Sequence, residues 1–149
     1  MKGAILALDI GTARIGLAVS DEQGRMALPL ETVKTSGAKN GVERIAELAG
    51  DYRVVEIVVG WPLDMSGREG RAVDRVRAVV EALRDELDQR GLQGIPIERW
   101  DERLTTTAAD RLLIDLDVSR RRRKQAIDQV AACKILEGYL GARRRRYEE

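Results

Sequence analysis

Histidine and phenylalanine are both absent from this chain, and cysteine occurs once. Without histidine, Ser-His and Cys-His nucleophile chemistry and every His-ligated metal centre are excluded. A single cysteine, Cys133, can form no internal disulfide, which fits a reducing compartment and a cytoplasmic location. It lies in AACKIL, within a helical pattern, and reads as a small buried hydrophobe rather than a nucleophile. Aromatic residues make up only 3% of the chain, so recognition by base stacking has little to work with. No apolar run is long enough to cross a bilayer, and the first residues lack the pattern of a secretory signal. Any catalysis is left to carboxylates, lysine, hydroxyls or a metal held by oxygen.

The length of 149 residues suits one domain with a real core. A net charge of +1 conceals an asymmetry. From Val118 onward ten basic residues face four acids, which makes that stretch +6 and the remainder −5. Most of the positive charge sits in two blocks, SRRRRK (Arg120, Arg121, Arg122, Arg123, Lys124) and ARRRRY (Arg143 to Arg146). Such runs are commonly solvated faces or disordered ends. Two of them flanking one helix also make a surface for a polyanion, of which nucleic acid is the obvious case.

Hydrophobic spacing divides the chain into alternating elements. Strands are expected at 4–9, 15–21 and 26–33, joined by connections short enough for antiparallel neighbours. A helix at about 39–49 places Val42, Ile45, Leu48 and Ala49 on one face. VVEIVVG (54–60) reads as a strand covered on both sides. A long helix at about 69–90 carries Val73, Val76, Val80, Leu83 and Leu87 as its inner stripe. IPIERW (95–100) is the last strand, followed by helices at 105–116 and 122–141. The whole describes an α/β domain, a five-stranded mixed sheet with helices on both faces. It spans 1–142, with 143–149 as a short basic tail expected to be disordered.

Three places in this scheme hold acids that need a reason. Asp9 ends the apolar run AILALD just before Gly11, at the carboxyl edge of a buried strand, where open α/β sheets carry their sites. Asp101 and Glu102, in WDERLTT, follow the last strand. Asp128 shares a helical stripe with Ala131, Ala132, Ile135 and Tyr139, where a carboxylate must be paired, protonated or bound to a cation. Each has a plain alternative: a turn cap for Asp9, a surface pair with Arg99 or Arg103 for Glu102, a helical pair with Lys124 for Asp128. A cluster of carboxylates without histidine suits Mg²⁺ or Mn²⁺, two of which can support attack of water on a phosphodiester.

LALDIGTARIGLAVSD at the start, VVGWPLDMSG after the fourth strand, WDERLTT after the fifth and AIDQVAACKIL in the last helix together resemble the YqgF/RuvX family. Its members are RNase H-like nucleases related to Holliday junction resolvases, and the likeness runs over nearly the whole chain. The resemblance implies an RNase H-like fold and a catalytic, metal-binding carboxylate triad at Asp9, Glu102 and Asp128, with Asp101 placed to assist. It implies two Mg²⁺ or Mn²⁺ ions, and structured DNA junctions or the 5′ end of pre-16S ribosomal RNA as substrate.

The remaining motif residues divide between scaffold and substrate. Gly11 and Thr12 shape the turn after Asp9, and Gly16 permits close packing at the start of the second strand. Gly60, Pro62 and Gly67 shape a loop bordering the site, and Trp61 reads as a packed anchor. Arg14, Arg103, Arg120 to Arg123 and Lys124 are candidate phosphate contacts, giving structure-selective binding by a monomer or homodimer. Two rival readings remain: a catalytically silent nucleic-acid-binding or ribosome-assembly factor, and a relative of actin-like ATPases suggested by D-x-G-T. The second would need another domain to close over a nucleotide, which a chain of this length does not provide.

Overall fold

A computed structural model describes residues 3–36, 41–101 and 120–148. The expected helix at 105–116, with Glu102 and Arg103, lies outside the described residues. Five strands, β1 (Ala4–Ile10), β2 (Arg14–Ser20), β3 (Ala27–Lys34), β4 (Val54–Trp61) and β5 (Ile97–Asp101), form one sheet in the order β3-β2-β1-β4-β5. β1, β2 and β3 pair antiparallel, and β4 and β5 join parallel to β1 and to each other. Helices α1 (Val42–Asp51) and α2 (Arg71–Gln89) connect the parallel strands, and α3 (Arg120–Glu148) ends the chain.

Strand alternation decides which layer each side chain joins. Leu6, Leu8, Ile10, Ile15, Leu17, Val19, Ile57 and Val59 point to one face. There they pack with Val42, Ile45 and Leu48 of α1 and with Val73, Val76, Leu83 and Leu87 of α2. Ile5, Ala7, Ala18 and Val58 point the other way and meet Ala132, Ile135, Leu136 and Leu140 of α3. Helices therefore cover both faces, and β1, sealed between them, has five consecutive residues from Ala4 to Leu8 that are 3% exposed or less.

Among the described residues the expected elements are present with shifted ends. In α2 the buried stripe is Val73, Val76, Val79, Leu83 and Leu87, with Val80 at its margin rather than within it. The last helix runs past 141 through the second arginine block to Glu148. Arg143 is tied down there by Glu56 of β4 at 2.9 Å, so the boundary expected at 142/143 falls inside a helix. No helix among the described residues is long and apolar enough to cross a membrane.

Candidate active site

Asp9 lies in the carboxyl-terminal half of β1, on the face it shares with Ile5 and Ala7, beneath α3. Its antiparallel partner on β2 is Gly16. On the β4 side, Leu8 pairs with Val59, so the next residue, Gly60, lies beside Asp9. Two glycines thus flank the carboxylate, and the sheet carries no side chain on either side to fill the space above it.

The glycine on β2 has a second role. A Cβ at Gly16 would come 2.0 Å from the Asp128 carbonyl oxygen and 2.8 Å from the Asp128 Cβ. No side chain fits there, so α3 rests directly on the strand at Asp128. Opposed residues on antiparallel strands hold their Cβ positions about 5 Å apart. Combined with the 2.8 Å contact, this puts the Cβ atoms of Asp9 and Asp128 within about 8 Å of each other. Two carboxylates more than a hundred residues apart in sequence therefore share one face and one level of the sheet.

The side chain of Lys124, the partner expected from helical spacing, lies outside the described residues, and Asp128 is paired across the fold. Its Oδ2 accepts a hydrogen bond from Nε of Arg14 at 2.7 Å, with the two side chains 20% and 31% exposed. Arg14, expected to meet a phosphate, is held by an acid of the site. The turn before it is fixed by a backbone bond from Gly11 N–H to the Arg14 carbonyl at 2.8 Å and by the Thr35 hydroxyl, which donates to the Thr12 carbonyl at 3.1 Å. The Gly11–Thr12 turn thus fixes where Arg14 begins β2.

Asp101 falls elsewhere. It pairs with Trp61, and Ile97 in the same alternation packs on the α1/α2 layer. By register Asp101 belongs to the opposite face of the sheet from Asp9 and Asp128, because alternate residues of a strand face opposite ways. Glu102 lies outside the described residues. Among the described residues no group of three or more acids or cysteines is gathered closely enough to hold a metal.

Trp61 is buried, as an anchor should be. Its indole N–H donates to Glu69 at 3.1 Å, and Arg99 lies 4.0 Å from the ring centroid. Beyond Pro62 the loop is closed on itself by Asp64, whose Oδ1 accepts from Ser66 N–H, Ser66 Oγ–H and Arg68 N–H. The Ser66 side chain, followed by these backbone donors, holds the Asp64 carboxyl below its ordinary range. Gly67 takes φ 86°, the left-handed conformation the turn needs.

A second polar cluster was missed by sequence reasoning. Glu56, 9% exposed within β4, accepts from the Tyr139 hydroxyl and from Arg143 of α3. Burial, with the Glu56 carboxylate beside it, pushes the Tyr139 phenol well above its usual range. With Glu98, Trp100 and Ala142 these groups line a cleft of about 390 Å³. The signal was visible: Glu56 interrupts VVEIVVG just as Asp9 interrupts AILALDI.

An open α/β sheet with an acid at the end of its first strand and a second on the closing helix defines the class as RNase H-like. Solved structures agree on the fold. *Thermus thermophilus* RuvC in complex with a Holliday junction substrate superposes with TM-score 0.55 over 95% of each chain at 19% identity. The fowlpox virus Holliday junction resolvase gives 0.54 over 93% of this chain and 99% of its own, at 12% identity. The family model RuvX, described as Holliday junction resolvase, matches residues 3–142, and the chain belongs to that family of nucleases. A *Symbiobacterium thermophilum* protein is 44% identical over 95% of this chain and 94% of its own. One from *Bacillus cereus* strain B4264 is 46% identical over 91% and 96%. Both bear the provisional name of pre-16S rRNA nuclease.

Proposed function

We propose that this chain hydrolyses phosphodiester bonds in structured nucleic acid at a site formed by Asp9, Asp128 and Glu102, with Mg²⁺ or Mn²⁺ as cofactor. The observation that carries the proposal is the approach of Asp9 and Asp128 on one face, above a sheet cleared by Gly16 and Gly60. The donor set fits a hard cation: two carboxylates at one level, with no histidine in the chain. When bound, such ions supply a nucleophilic water and stabilise the leaving oxygen.

The chain's own contribution is position. β1 is sealed between two layers, so Asp9 is held on a rigid support rather than a loop. Gly16 fixes the height of Asp128 above the sheet. Glu102 completes the set as the residue following β5, while Asp101, on the other face, is not retained as a ligand. Arg120 to Arg123 and Lys124 open the same helix that carries Asp128, and they are the proposed contacts for phosphates flanking the cleaved bond. Recognition of this kind reads backbone shape rather than base sequence.

The names of the relatives point to two substrates, a four-way DNA junction and a precursor of 16S ribosomal RNA. A cleavage assay with Mn²⁺ should compare an immobile four-way junction, duplex DNA, single-stranded RNA and a pre-16S leader. Cleavage of the junction or the leader, lost in Asp9→Asn, is expected. Tight binding without cleavage of any substrate would replace the nuclease with an assembly factor.

A further inference from the structure

We infer that Arg14 is a displaceable counter-ion of the site, holding Asp128 while no metal is bound and released by the metal to take a substrate phosphate. This rests on the metal-site reading of Asp9 and Asp128. Asp9 and Asp128 lie close together, and like charges so placed repel unless a cation stands near. The structure supplies that cation from within the chain: Nε of Arg14 lies 2.7 Å from Oδ2 of Asp128.

The placement suits a movable group more than a fixed strut. Arg14 is the first residue of β2, at the mouth of the site, and its side chain is 31% exposed. Its backbone is held by the Gly11 turn and by pairing with Lys34, so the guanidinium can swing without disturbing the sheet. Arg14 and Gly16 are two apart on one strand and face the same way, so a released guanidinium stays beside Asp9 and Asp128. A planar guanidinium is well matched to phosphate oxygens. The device would couple the two ligands: metal loading frees the phosphate contact, and a phosphate that engages Arg14 removes the competitor for Asp128.

Two measurements test this, neither relying on turnover. Mn²⁺ binding to the purified chain is followed by electron paramagnetic resonance. Arg14→Gln should bind Mn²⁺ about two- to tenfold more tightly than wild type, since a partly exposed ion pair no longer competes. Unchanged or weaker binding by Arg14→Gln would show a static strut and overturn the inference. In ¹⁵N-labelled wild-type protein, the Arg14 Nε–H resonance should lose its exchange protection on saturation with Mg²⁺. A resonance unaffected by saturating Mg²⁺ overturns it too, whether or not the variant folds. Asp9→Asn separates the levels: if it binds Mn²⁺ as wild type does, the parent reading of the metal site fails, whatever Arg14 does.

Discussion

Under α1 and α2 the sheet presents Leu6, Leu8, Ile10, Ile15, Leu17 and Val19; under α3 the same two strands present Ile5, Ala7, Asp9, Gly16 and Ala18. Large branched residues fill the first face, and small ones let a helix settle closely on the second. On the second face lie the Arg14–Asp128 pair and, about 17–22 Å further along α3, the Tyr139 and Arg143 contacts with Glu56. The first layer holds the sheet together chiefly by burial, with ion pairs such as Arg44–Glu31 at its edge. The other gives up part of that burial to hold charge, and it keeps its register through glycine contacts and ion pairs.

The sharpest way to break this division is to substitute one residue on each face. Asp9→Asn keeps the shape of the side chain and removes its charge. Cleavage is expected to fall to background, while the urea midpoint stays the same or rises because a half-buried charge close to Asp128 is gone. Leu83, fully buried under the other face, should behave in the opposite way. Leu83→Ala is expected to lose about 2–5 kcal/mol of stability, with cleavage per folded molecule unchanged. Denaturation curves beside single-turnover assays decide it; a Leu83→Ala variant that is stable but inactive would show that the faces are not separable.

Gly16→Ala sharpens the comparison, because there fold and site are one contact. A methyl group would run into the Asp128 carbonyl at 2.0 Å, so α3 must lift. Overpacking of this kind costs about 1–3 kcal/mol. The displaced Asp128 should also reduce cleavage by at least tenfold, since small misplacements of reacting groups are costly. Loss of stability with full activity would mean that α3 can shift without consequence for the site.

Much of this was legible in the residues. Periodicity found the five described strands because β1 and β4 are apolar except for one acid each and the hairpins are short. Asp9 and Asp128 stood out because each interrupts an apolar pattern. What the pattern could not supply was pairing across the fold. Arg14, on another element and more than a hundred residues away, meets Asp128 because the Gly16 notch fixes the height at which α3 rests. Asp101 looked able to assist in WDERLTT, but its register with Trp61 assigns it to the α1/α2 face, opposite Asp9. Glu56 was passed over because its strand reads as apolar on both sides. Its partners, Tyr139 and Arg143, lie more than eighty residues away.

The smallest expected effect lies at the exposed edge of the first layer, at the ion pair between β3 and α1. Arg44 donates from Nε and a terminal nitrogen to the two carboxylate oxygens of Glu31, each at 2.8 Å. These bonds hold the Glu31 carboxyl below its usual 4.5. A depressed carboxylate adds stability that is fully present above its unfolded-state value and is lost as pH falls through the folded one. Both side chains are partly exposed, so solvent screening limits the pair to on the order of 0.2–1 kcal/mol. Wild type should therefore lose slightly more stability than Glu31→Gln between pH 7 and the acid side of 4.5. Urea midpoints of the two proteins at both pH values make the comparison, and cleavage at pH 7 should be the same in each. Parallel acid losses would mean that the pair contributes nothing measurable, and that the stability of this edge comes from Val33 and Val42 packed beneath it.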